Sequence, residues 1–179
     1  MERIFNEFYD SYESKIVEKL FQDIIQIFKT EGRAPYLTIQ CKPKPDEFLE
    51  LKTITDNEIC FNKRKGSPAD WKISFDQLKD AIRYSIKNGR KLKATDYKKM
   101  YGTSKIIGVP INILIHLLPE EVYKDASLAG STIDLVNLGE VTIVSLALDK
   151  DVIVVLHNGV KKRLSTKHVK VNEENFIKE

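Results

Sequence analysis

The sequence holds little of what most catalytic centres need. Two cysteines and three histidines in 179 residues are a thin supply of metal ligands and catalytic bases, and none stands at ligand spacing from another. His116 falls in an apolar helix and reads as a core histidine, while His157 and His168 belong to predicted strands. There is no glycine-rich phosphate loop, no His-Glu-x-x-His helix and no nucleophile elbow. These absences weigh against zinc, nucleotide-hydrolysing and acyl-transfer chemistry, so no cofactor and no metal are expected. No stretch approaches the ~20 apolar residues of a membrane-spanning helix. The start, Met1-Glu2-Arg3-Ile4-Phe5-Asn6-Glu7, lacks the basic residues, apolar run and cleavage site of a secretory leader. The expectation is a cytoplasmic protein with no membrane partner. Cys41 and Cys60 sit in two predicted strands of one sheet and read as reduced, small apolar residues.

What is present is a globular composition, 42% hydrophobic and 31% charged, enough for a packed core. Apolar residues recur at helical spacing through Phe5, Tyr9, Tyr12, Ile16, Leu20, Ile24 and Phe28. That pattern predicts a long first helix, ended by the left-handed cap that Gly32 can supply. Three strand-like runs follow, Tyr36 to Cys41, Phe48 to Ile54 and Glu58 to Phe61, an antiparallel meander in which Leu49 and Leu51 face inward. Ser74 and Gln77 form a capping box opening a helix on Phe75, Leu78, Ile82 and Ile86, which Asn88-Gly89 closes. Thr95 caps a short helix through Met100. Pro110 suits the first turn of an apolar helix, Ile111 to Leu118. The spacing of these three helices resembles a helix-turn-helix core. Ile111, Ile113, Leu114, Ile115, Leu117 and Leu118 leave the last helix almost no polar face, so it reads as buried rather than as a groove reader.

From Thr132 the pattern changes to strands alone: Thr132 to Val136, Glu140 to Ala147, Val152 to Leu156, Val160 to Leu164 and His168 to Val171. Asn158-Gly159 is a strong hairpin signal, because both residues accept positive φ. Five short strands with tight turns, and a single helical turn at Ser165-Thr166-Lys167, resemble an SH3-like or Tudor-like barrel. The resemblance is one of fold and covers about 40 residues. The expected fold class is therefore α+β. An N-terminal long helix with an antiparallel β-meander and a small helical bundle (1–126) is followed by a C-terminal SH3-like five-stranded β-barrel (130–172) and a tail (173–179). The barrel strands read as internally complete.

The functional signal is charge. A net +3 with a pI near 8.7 is mild, but from Arg83 to Lys105 the only acid is Asp96. That stretch carries Arg90, Lys91, Lys93, Lys98 and Lys99, with Tyr84, Tyr97 and Tyr101 interleaved. Lys63, Arg64 and Lys65 form a basic loop, and the barrel adds Lys161, Lys162, Arg163 and Lys167. Joined into one surface, Lys63, Arg64, Lys65, Arg90, Lys91, Lys93, Lys98, Lys99, Lys161, Arg163 and Lys167 would bind phosphates, with tyrosines stacking on bases. The expectation is a non-catalytic nucleic-acid-binding module acting mainly through phosphate contacts, part of a larger DNA-handling or defence system. Two alternatives stand beside it. One is a protein-binding adaptor or inhibitor using the barrel or the first helix. The other is a Mg²⁺-dependent nuclease, because Glu50-Leu51-Lys52 resembles the Glu-x-Lys of the restriction-nuclease fold, although no acid stands on the preceding strand. Nucleic acid type and oligomeric state are left open.

Overall fold

In the computed structural model, which describes residues 1–176, the chain begins with a short strand and a long helix, β1 (Glu2–Ile4) and α1 (Phe5–Glu31). Then come β2 (Arg33–Leu37), β3 (Pro43–Ile54), β4 (Glu58–Phe61) and β5 (Trp71–Ser74), followed by α2 (Phe75–Asn88), α3 (Ala94–Tyr101), α4 (Lys105–Ile115) and α5 (Glu120–Ala126). The remainder is β6 (Thr132–Leu135), β7 (Gly139–Ala147), β8 (Val152–His157), β9 (Val160–Ser165) and β10 (Lys170–Asn172), with 3₁₀ turns at Leu148–Lys150 and Glu173–Asn175. The architecture is α+β, as the sequence predicts. No single helix among the described residues is long and apolar enough to cross a membrane. The chain divides into two compact units, a continuous one, Ile16–Ser127, and a discontinuous one built from Met1–Lys15 and Leu128–Glu179.

In the continuous unit, β2-β3-β4-β5 form an antiparallel sheet. Alternation along β3 buries Leu49 completely and leaves Phe48, Glu50 and Lys52 outside. The core joins Leu20, Ile24 and Phe28 of α1 to Phe61 and Ile73 of the sheet and to Ile82, Leu114 and Tyr123 of the later helices. Helix α1 closes where the Gly32 N–H, at φ 71°, donates to the Phe28 carbonyl at 2.8 Å, the left-handed ending that glycine permits. The capping box of α2 is formed: Ser74 Oγ accepts from the Gln77 N–H at 3.1 Å and Gln77 Oε1 accepts from the Ser74 N–H at 2.8 Å.

Several details differ from the sequence expectation: β2 lies at Arg33–Leu37 rather than Tyr36 to Cys41, and β3 begins at Pro43, ahead of the expected Phe48. Trp71–Ser74 adds a fourth strand beside β4. Cys41 lies in the β2–β3 turn with φ 58° rather than in a strand; both cysteines are free thiols. Helix α3 is capped at Lys93, whose N–H donates to the Asp96 carboxylate at 2.7 Å, and Thr95 lies inside it. Helix α4 starts at Lys105 and carries Pro110 in its interior. Proline there removes a helical donor, but every residue from Gly108 to Ile115 is buried, and that apolar burial outweighs the lost bond. Buried from Gly108 onward and exposing only its first turn, at Lys105 and Ile106, the helix has no polar face with which to read a DNA groove.

The discontinuous unit holds an antiparallel sheet in the order β1-β10-β6-β7-β8-β9. All five strands expected after Thr132 are present, and the Asn158-Gly159 hairpin has φ 49° and 78°. The expected closed five-stranded barrel is not formed; the sheet is open, with six strands. The reason is β1, which takes the free side of β10 through Glu2↔Asn172, Arg3↔Val171 and Ile4↔Lys170. The first turns of α1 then supply Phe5, Phe8 and Tyr9 to a core with Ile133, Val141, Ile143, Ile153, Val155 and Val171. Of the expected tail, Glu173 to Phe176 is ordered: Arg3 pairs with Glu173 at 3.2 Å, and the Phe176 ring stands edge-on to Phe8 at 5.0 Å. Residues 177–179 lie outside the described residues.

Candidate nucleic-acid interface

Basic charge is concentrated in the continuous unit, which holds twenty Lys and Arg against fifteen Asp and Glu, whereas the discontinuous unit holds nine against eleven. Two of the three expected basic segments belong to the continuous unit and the third to the other.

The loop between β4 and β5 presents Lys63 and Lys65 to solvent but folds Arg64 back. The Arg64 guanidinium lies 3.6 Å above the Tyr36 ring and 5.8 Å from that of Trp71. Its Nη2 donates to Glu47 Oε2 at 3.0 Å, and its Nη1 is buried without a hydrogen-bond partner. Stacked and ion-paired in this way, Arg64 acts as a lid on the end of the core. Beside it runs a groove of about 550 Å³ lined by Lys44, Phe48, Glu50, Asn62, Lys63 and Lys65, with Glu47 and Arg64. Phe48 is 37% exposed there, and the Arg33 guanidinium lies 3.8 Å from its ring centre.

The second segment links α2 to α3 and is organised around a buried acid. Asp96 is 4% exposed. Its Oδ1 accepts from Tyr84 Oη at 2.7 Å and from Arg90 Nη2 at 3.1 Å. Its Oδ2 accepts from the Lys93 N–H at 2.7 Å and from Arg90 Nη1. The Arg90 hydrogen bonds, helped by those of Tyr84 and the Lys93 amide, hold its carboxyl well below the usual carboxylate range against the opposing effect of burial. Arg90 is therefore a structural cation. Lys91 reaches the His116 carbonyl at the end of α4, 3.5 Å away. Lys93, Lys98 and Lys99 are exposed and form no ion pair among the described residues. The tyrosines expected to stack on bases turn inward. Tyr97 is fully buried, with its hydroxyl donating to the Ser104 carbonyl at 2.5 Å. Tyr84 is held by Asp96, and the Tyr101 hydroxyl is buried.

The third segment lies on the sheet of the discontinuous unit. Lys161 and Arg163 pair across the ladder with Leu156 and Val154, opposite in sense to the buried Ile153 and Val155, so both project from the outer face. Lys162 takes the other side, with Nζ donating to His157 Nδ1 at 3.2 Å. Lys167 pairs with Asp151 at 3.1 Å. Strand β9 is an edge of its sheet, and charged side chains on an edge also discourage pairing with foreign strands.

Glu50 and Lys52 share the outer side of β3. Lys52 is ion-paired with Asp70, which raises the lysine's proton affinity and lowers the carboxylate's. Among the described residues no group of three or more His, Cys, Asp and Glu side chains converges as a metal site. His116 is half-buried, and burial pushes its imidazole below the ordinary value. Phe48 is the groove residue that charge-based reasoning missed; a large aromatic on the polar side of an alternating strand is the signal that marks it. Comparison with known proteins finds no matching family model, no similar curated protein and no similar solved structure.

Proposed function

We propose that this chain is a non-catalytic nucleic-acid-binding module whose phosphate contacts come chiefly from the continuous unit. The observation that carries the reading is the placement of Asp96. The one acid between Arg83 and Lys105 is turned inward and neutralised by Arg90, so Lys93, Lys98 and Lys99 stand on the surface with no nearby countercharge from their own segment. Lys63 and Lys65 add to the same unit. A surface of this kind attracts polyanions by releasing condensed counterions, and exposed lysines position a backbone without reading its sequence.

The test is binding of labelled DNA and RNA over a salt series, comparing wild type with Lys98→Glu combined with Lys99→Glu. Affinity should fall as salt rises. The variant should flatten the log–log slope by about 0.9 for each phosphate it no longer neutralises on duplex DNA, or about 0.7 on a single strand. Its melting temperature should stay near wild type, because exposed substitutions change stability by no more than about 0.5 kcal/mol. Wild type with no affinity for either polymer at low salt, or a variant with unchanged affinity and slope, removes the reading and favours the protein-adaptor alternative.

A further inference from the structure

Resting on the nucleic-acid reading, we infer that the groove beside β3 receives one unstacked base of a single-stranded nucleic acid, with Phe48 as its stacking platform. Phe48 breaks the pattern of its strand. Glu50 and Lys52, on the same outer side, are charged, and the next residue, Leu49, is buried; yet Phe48 is a phenyl ring left 37% exposed. Arg33 lies against it at 3.8 Å, which holds the ring in place and makes a cation-bearing platform of the kind that stacks on bases whatever their identity. The groove has about 550 Å³, within the roughly 300–1,000 Å³ that small-ligand sites occupy.

The polar groups around that ring suit a nucleotide. Asn62 is exposed and lines the groove; its amide offers a donor and an acceptor to a base edge. The Glu50 carboxylate is an acceptor for a base N–H, such as the N3–H of thymine or uracil. The other acid, Glu47, is held by Arg64 at 3.0 Å and by Lys44 at 4.0 Å, which offsets its repulsion of a phosphate. Lys63 and Lys65, both exposed, supply the cations for the backbone that runs out of the groove. A base inside a duplex cannot reach Phe48 without being flipped from its stack, at a cost of a few kcal/mol. Single strands meet no such cost, so the groove selects them.

The experiment is fluorescence anisotropy on the full chain with labelled oligodeoxyuridine and oligouridine, which differ only in the sugar, and a duplex of equal length at one salt concentration. A single strand should bind more tightly than the duplex. Phe48→Ala should weaken single-strand binding about tenfold, the reduction expected for one stacked base, and leave duplex binding unchanged. Phe48→Trp should retain the affinity and show quenched indole emission on titration with the oligonucleotide. Whichever single strand binds more tightly identifies the ligand as DNA or RNA. Asn62→Ala, a surface change that leaves folding intact, should weaken single-strand binding by a smaller factor. Equal losses on single strand and duplex, or single-strand affinity unchanged in both Phe48→Ala and Asn62→Ala, overturn the groove. If the lysine reversals weaken binding while Phe48→Ala does not, phosphate binding stands and the base site falls; if wild type binds nothing, both fall.

Discussion

Replacing Phe5 with alanine should unfold strands that lie more than 120 residues further along the chain. Phe5 is fully buried, its ring centre is 5.9 Å from that of Phe8 and 6.4 Å from that of Tyr9, and its N–H donates to the Val169 carbonyl at 2.9 Å. Truncating a buried phenylalanine costs about 3–5 kcal/mol. The discontinuous unit has about seventy residues, so at about 0.05–0.15 kcal/mol per residue it holds roughly 3–10 kcal/mol in all. The truncation therefore removes a large share of its stability. Amide hydrogen exchange reads the outcome: Ile143, Val155 and Val171 should lose protection by about a hundredfold or more, while Ile82 and Leu114 of the continuous unit keep theirs. A variant in which only the first turns of α1 exchange faster, with the strands unchanged, would refute the assignment of Met1–Lys15 to that unit. On the same reasoning a fragment of Gly130–Glu179 should remain unfolded alone and fold on addition of a Met1–Lys15 peptide, followed by circular dichroism.

Other consequences are open to measurement. Asp96→Asn should cost about 2–3 kcal/mol, because it leaves Arg90 without its charged partner; since the folded-state carboxyl is held below its unfolded value, the Asp96 contribution is complete above about pH 5 and declines as pH falls below about 4. Acid-unfolding curves should accordingly show wild type losing its advantage over Asp96→Asn in that acid window and not at higher pH. A Cβ on Gly108 would lie 2.5–2.6 Å from the Tyr97 ring, so Gly108→Ala should lower stability by about 1–3 kcal/mol in denaturant unfolding, and an unchanged midpoint would contradict the packing of α3 on α4. Arg64→Lys keeps the charge but not the planar stack on Tyr36, and should lower stability by about 1 kcal/mol; thermal melting checks it.

Elements specified by neighbours in sequence were legible, and elements specified from afar were not. Ser74 and Gln77 stand three residues apart and Asn158 adjoins Gly159, so the α2 cap and the β8–β9 hairpin could be read directly. Strand β1 is only Glu2-Arg3-Ile4, whose pairing partners are Lys170 to Asn172; nothing in three mixed residues announces that. Without it the five later strands read as a self-contained barrel. Pro110 misplaced the start of α4 because its local preference for a first turn is real, and only the packing of Gly108 on Tyr97 shows why the helix begins earlier. The basic surface was legible as composition but not as partnership. Arg90 is engaged by Asp96, six residues away, Arg64 by Glu47 and Tyr36, and Lys167 by Asp151. Charge counts cannot distinguish these cations from Lys98 or Lys99, whose exposure depends on which way α3 turns its faces.

The pairing of β1 with β10 also sets an order of events on the ribosome. Glu2 is translated 170 residues before its partner Asn172; at about 5–20 residues per second the delay is roughly ten to thirty seconds. The continuous unit is complete in sequence well before that and can fold while the nascent chain is still tethered. Throughout the wait Phe5, Phe8 and Tyr9 have no sheet to cover them, and they form the apolar, aromatic segment on which a holdase would act. A stall or cleavage before residue 170 would leave that segment uncovered for good, so translation products truncated there should be marked for degradation by Phe5, Phe8 and Tyr9.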